Sequence, residues 1–136
     1  MIDAESVPPV DDDELLARYV VNSNEFRKSD NTVRPKLFMP YKRVTLSVTR
    51  HRDCTEKDIW RLGFDIAKER GCQLYGRADI IASACRFDPL NVISSPIESN
   101  PNHAEINGFP SKKEDQQSVA LKLAAAAGRR IPSPNL

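Results

Sequence analysis

Histidine and glycine are scarce in this chain and a long apolar run is missing, and each shortage excludes something. Two histidines, His51 and His103, and five scattered glycines stand among 136 residues. No Gly-rich phosphate-cradling loop exists, so Arg50-His51-Arg52-Asp53 shares only letters with the protein-kinase catalytic loop, which also needs a strand lysine and an Asp-Phe-Gly. No apolar stretch approaches the ~20 residues that cross a bilayer. Met1 to Glu14 is acidic, whereas a secretory signal is basic and then apolar. Three cysteines, Cys54, Cys72 and Cys85, are an odd number spread along the chain, which fits a reducing compartment better than a disulfide framework. These absences predict a cytoplasmic protein without membrane contact, and no cofactor is expected.

Charge is also nearly absent in sum, at +1, but it is not evenly spread. Residues 1–30 carry eight acids and three bases, while residues 34–52 carry six bases (Arg34, Lys36, Lys42, Arg43, Arg50 and Arg52) and no acid. That run offers nucleic acid a contact surface, although the whole chain lacks the strongly basic balance of a nucleic-acid binder. Solvated charges flanking a strand explain the run equally simply. The length, with 40% hydrophobic and 29% charged residues, is that of one ordinary globular domain.

The pattern places a loose arm over residues 1–10, a single domain over 11–128 and a fraying tail over 129–136. Asp11 to Glu14 put negative charge where a helix start favours it, and Leu15, Leu16, Tyr19 and Val20 follow at helical spacing, predicting a helix to about Val21. A long loop to Tyr41 drops Leu37, Phe38 and Met39 onto the core. Val44, Leu46 and Val48 alternate with Thr45, Ser47 and Thr49, a strand with one buried face. Thr55 and Asp58 form a capping box for a helix over residues 56–70, closed by Gly71. Residues 78–87 and 90–94 read as adjacent antiparallel strands around Asp88-Pro89. Residues 95–110, with three prolines and Gly108, read as a loop long enough to carry function. A second capping box, Ser111 with Glu114, starts a helix ending at Gly128. The expected fold is α+β, a small two-layer sandwich of about three strands with the helices on one face.

His51 ends the clearest strand, and His103 sits in the long loop. If that strand end meets the loop, Arg50, Arg52, Arg77 and Asn102 make an anion-binding edge, with His51 or His103 as a titratable group and Glu105 to orient it. Two unrelated, internally satisfied histidines are the plainer alternative. A zinc site from His51, Cys54, His103 and Glu105 lacks the cysteine pairs of structural zinc, so no metal is expected. Cys54 beside a helix cap is a weak nucleophile candidate, and Cys85 in an apolar segment reads as core. Trp60 reads as a core or interface residue, and Tyr41 and Tyr75 are the only candidates for base stacking.

Phe38-x-Pro40, Leu46-Ser47-Val48-x-Arg50, Ile59-Trp60-x-Leu62-Gly63, Gly76-Arg77-Ala78-Asp79 and Asn102-His103-Ala104-Glu105-Ile106-x-Gly108-Phe109-Pro110 together resemble a pattern shared by small uncharacterised bacterial proteins. The resemblance covers residues 15–127 and implies a bacterial origin without an activity. The reading of the residues is an interaction module or accessory subunit that binds a larger protein through the Arg/His edge. The alternative is an enzyme acting on a phosphorylated or nucleic-acid substrate, a nuclease or nucleotide transferase, with histidine acid-base chemistry and an arginine phosphate clamp.

Overall fold

The computed structural model describes residues 7–40 and 44–134. Among them lie β1 (Leu15–Val20), β2 (Leu46–Arg50), α1 (Glu56–Glu69), β3 (Gly76–Ile81), β4 (Asn91–Ser94), β5 (His103–Asn107), α2 (Lys113–Ala127) and β6 (Ile131–Pro132). The strands form one sheet in the order β4-β5-β2-β1-β3-β6, every neighbouring pair antiparallel. The α+β class stands, but a sandwich of about three strands does not: the sheet has six.

The helices do not share a face either. Successive strand residues point to opposite sides. Leu16 and Val20 of β1 pack in one core with Val48, Ile80, Ile106 and the α2 residues Val119, Ala120 and Leu123. Ala17 and Tyr19 pack in a second core with Ile59, Leu62 and Ala67 of α1. α1 and α2 therefore cover opposite faces of the sheet.

This arrangement explains the misread segments. The sequence of β1 reads as a helix because a strand buried on both sides shows no alternation, and its near-continuous apolar run mimics helical spacing. Asp11 to Glu14 form a turn, in which the Asp11 amide donates to Glu14 Oε2 at 2.7 Å. β5 lies inside the expected 95–110 loop: His103, Glu105 and Asn107 alternate with buried Ala104 and Ile106. Residues 78–87 are half strand and half 3₁₀ turn, with the turn over Ala82–Cys85. β3 and β4 are not neighbours, since β3 pairs with β1 and β4 pairs with β5.

α1 has the expected capping box: the Asp58 amide donates to Thr55 Oγ1 and the Thr55 amide to Asp58 Oδ2, both at 3.1 Å. α2 starts one residue later than the Ser111 box requires, with Lys112 at its cap and no side-chain capping bond. Residues 1–6 of the expected arm and 135–136 of the tail lie outside the described residues. Val10 is buried, and Ile131 and Pro132 pair with Arg77 and Gly76.

The sheet is weakly joined in its middle. β1 and β2 pair only at Leu16–Arg50 and Ala17–Thr49, while β1 pairs with β3 along its whole length and β2 with β5 from Leu46 to Thr49. The two halves diverge beyond Ala17. Arg18 lies in the opening: its Nη1 donates to the Ser47 carbonyl at 2.9 Å and its Nε to the Leu37 carbonyl at 3.0 Å. A guanidinium thus supplies donors that the strand ladder no longer does.

Candidate functional site

The structure divides the expected Arg/His edge into three separate networks. Arg50 is fully buried at the end of β2. Its Nε and Nη2 grip both oxygens of Glu14 at 2.7 and 2.8 Å, and the remaining donor capacity goes to the carbonyls of Pro8 and Pro9 and to Ser94 Oγ. Burial alone raises the Glu14 carboxyl. The Arg50 hydrogen bonds and the Asp11 amide outweigh that effect and leave it below its ordinary value. Arg50 has no donor left for an anionic ligand.

His51 belongs to the second network. Its Nε2 donates to Asp79 Oδ1 at 2.9 Å, which places the proton on Nε2. Arg77, only 3% exposed, holds the same carboxylate through Nε and Nη2, and its Nη1 and Nη2 grip Glu56 at 2.9 and 2.7 Å. The indole of Trp60 covers the Arg77 guanidinium at 4.7 Å, a cation–π contact. Desolvation raises Asp79, but the hydrogen bonds from His51 and Arg77 prevail and lower it. The network ties the first turn of α1 to β3. An imidazole oriented by a carboxylate is also the geometry of a general acid or base.

The third network holds the loop before β5. Asn100 Nδ2 donates to the buried Thr49 Oγ1 at 2.9 Å, and Asn102 Nδ2 donates to the Arg52 carbonyl at 2.6 Å and lies beside the Cys54 sulfur. Arg52 Nη2 returns a bond to Asn102 Oδ1 at 3.1 Å. His103 stands opposite Thr49 in the sheet, and its Nδ1 donates to the Ser95 carbonyl at 2.8 Å. Glu105 pairs in register with Ser47 on one side and Ile93 on the other. No hydrogen bond links His51 to His103 or to Glu105. Asn102 and Arg52 do meet, as do His51 and Asp79, but Arg50 and Arg77 reach neither histidine as free clamps. Among the described residues no group of three histidine, cysteine or acidic side chains is arranged to hold a metal. All three cysteines are free; burial pushes the Cys85 thiol up to about 12, as befits a core position.

The sequence reading missed a cationic cleft at the split in the sheet. It encloses about 1070 Å³ between the Pro35–Pro40 segment, the first half of α2 and the end of α1. Arg18, Lys36, Arg70 and Lys113 line it against one carboxylate, Glu25, and Val21, Met39, Pro40 and Leu121 supply apolar wall. Glu25 is committed: its Oε1 accepts from the amides of Val21 and Asn22. Lys36, Arg70 and Lys113 are exposed and make no side-chain hydrogen bond or ion pair with the described residues. Desolvation pulls Arg18 down to about 10, Glu25 opposing and nearby Arg70 adding to the fall, so it stays cationic at neutral pH. A narrow slot of about 40 Å³, sharing Arg18, Val21 and Arg70 with the cleft, runs on to Tyr19, Thr49 and His103. No periodic signal marks these cations, because Arg18, Lys36, Arg70 and Lys113 come from four separate segments.

Of the basic run at 34–52, Arg34 and Lys36 are exposed, Arg50 is buried, and Arg52 is tied to Asn102 and Asp53. Tyr41, Lys42 and Arg43 lie outside the described residues. No helix among the described residues is long and apolar enough to cross a membrane. No protein-family model, no curated protein and no solved structure matches the chain.

Proposed function

We propose that this chain is a cytoplasmic interaction module that binds a larger protein through the cationic cleft at the split of its sheet. The observation that carries this reading is the cleft lined by Arg18, Lys36, Arg70 and Lys113 beside an apolar wall. Concave surfaces with an apolar lining and a few convergent polar groups are the usual shape of binding sites. Positive potential focused in such a cleft draws an acidic partner and sets its register. The reading moves the contact surface away from Arg50 and Arg77, whose guanidinium groups are spent on Glu14, Glu56 and Asp79. Free cysteines accord with a reducing compartment.

The test is affinity capture from cell extract with the wild type and the Lys36→Glu/Arg70→Glu double variant. Both positions are exposed, so the fold should survive the change. A partner recovered by the wild type and lost by the variant is expected. Equal recovery by both removes the cleft from the account.

The enzyme reading retains one observation, the His51–Asp79 pair. It needs a phosphate clamp beside that pair, where Arg77 already holds two carboxylates. Turnover of a generic phosphoester that disappears in His51→Gln would favour it over the binding module.

A further inference from the structure

We infer that the occupant of the cleft is a linear acidic segment of the partner carrying an aliphatic residue between its carboxylates. The inference rests on the reading of the cleft as the partner-binding surface and names what fills it. Charge complementarity comes first. The exposed cations Lys36, Arg70 and Lys113 stand on three separate elements around the opening, with Arg18 at the split behind them. Cations carried on three separate elements match carboxylates spaced along a chain better than one compact anion. The volume of about 1070 Å³ exceeds the upper end of ordinary small-molecule pockets, roughly 300–1,000 Å³.

The apolar wall then selects between polyanions. Met39 lines the cleft, and Leu121 projects from α2 with 60% of its surface exposed. Neither of these two side chains offers a ring on which a base could stack. Single-stranded nucleic acid takes much of its affinity from bases stacked on aromatic side chains, about 1–3 kcal/mol per base. An acidic peptide instead gains by burying an aliphatic side chain against Met39 and Leu121. Flexible methionine side chains suit such sequence-tolerant contact. Arg18 contributes position more than reach, because two of its three nitrogens are held by the Leu37 and Ser47 carbonyls.

The experiment measures fluorescence anisotropy of a labelled acidic hexapeptide with alternating glutamate and leucine, a labelled oligothymidylate, and inorganic phosphate as competitor. Saturable peptide binding, weakened at least about tenfold by Lys36→Glu/Arg70→Glu and clearly weakened by Leu121→Ser, is the expected result. The Leu121 variant separates the apolar contact from charge alone, and circular dichroism confirms that both variants are folded. Absent peptide binding, tighter binding of the oligonucleotide, or displacement of the peptide by phosphate at equal concentration each overturn the inference. If cleft-dependent capture persists while the peptide fails, the occupant is a folded surface and only this inference falls. If capture ignores the cleft, the underlying reading falls with it.

Discussion

Arg50 shows how a residue with the chemistry of a ligand-binding group is used to hold a fold. Its side chain is 1% exposed and makes a two-pronged contact with Glu14, which itself is 15% exposed. Removing one partner of a buried ion pair strands the other charge, which costs about 3–5 kcal/mol. Arg50→Ala should therefore lower unfolding stability by about that much in urea titration, and Glu14→Gln by less, since the glutamine oxygen still accepts from the guanidinium and the bonds to Pro8, Pro9 and Ser94 remain. Both Glu14 and Asp79 have folded-state values below their ordinary 4.5 and 3.8. Their stabilisation is thus present above those ordinary values and is lost as pH falls through the lower folded ones. Stability measured from neutral to strongly acid solution should fall on that limb, and Asp79→Asn should flatten it. Gly63 is fixed by a different constraint: a Cβ there would stand 2.6 Å from the Tyr19 ring, whose hydroxyl donates to the Ile59 carbonyl. Gly63→Ala gains helix propensity but should cost about 1–3 kcal/mol through that clash, read as a lower thermal midpoint.

Among the elements, β4 is an edge strand that is closed by side chains. The Val92 carbonyl accepts from Arg86 Nη2 at 3.0 Å, and the Val92 amide donates to Asn91 Oδ1 at 2.8 Å, which also receives Arg86 Nε. The same guanidinium reaches Asp12 and the Val10 carbonyl. Filled in this way, the edge offers little to an added strand. Arg86→Ala should raise concentration-dependent self-association in sedimentation velocity, whereas a variant as monomeric as the wild type would show that the edge is not guarded by Arg86. The elements also mark how far the sequence could be read. β2 and α1 are legible because the buried Leu46 and Val48 flank the exposed Ser47 and α1 shows its period, although Thr49 is buried on the other face of β2 and Val44 is exposed ahead of it; Thr55, Asp58 and Gly71 carry local signals at the ends of α1. β1 is not, because both its faces are buried, and β5 is hidden by the prolines and asparagines around it.

Taken as a whole molecule, the sheet is two antiparallel halves joined by a short stretch of β1–β2 pairing, and the cleft opens where they part. The candidate site was less legible than the fold because it is a product of topology. His51, Arg77 and Asn102 were found from their positions at strand ends and in a loop, yet their partners Asp79, Glu56 and Cys54 become apparent only once β3, α1 and the loop are assembled. The cations of the cleft, from β1, the 35–40 segment, α1's end and α2, gave no joint signal along the chain. Binding through exposed charges is screened by salt, so capture should weaken markedly as ionic strength rises toward roughly 1 M, where the screening length is only about 3 Å. Hydrogen–deuterium exchange on the chain with and without its captured partner tests the central claim most directly. The account predicts added protection in residues 35–40, around Arg70 and in residues 113–121; protection confined to the β4 or β6 edges, with the cleft segments unchanged, would contradict it.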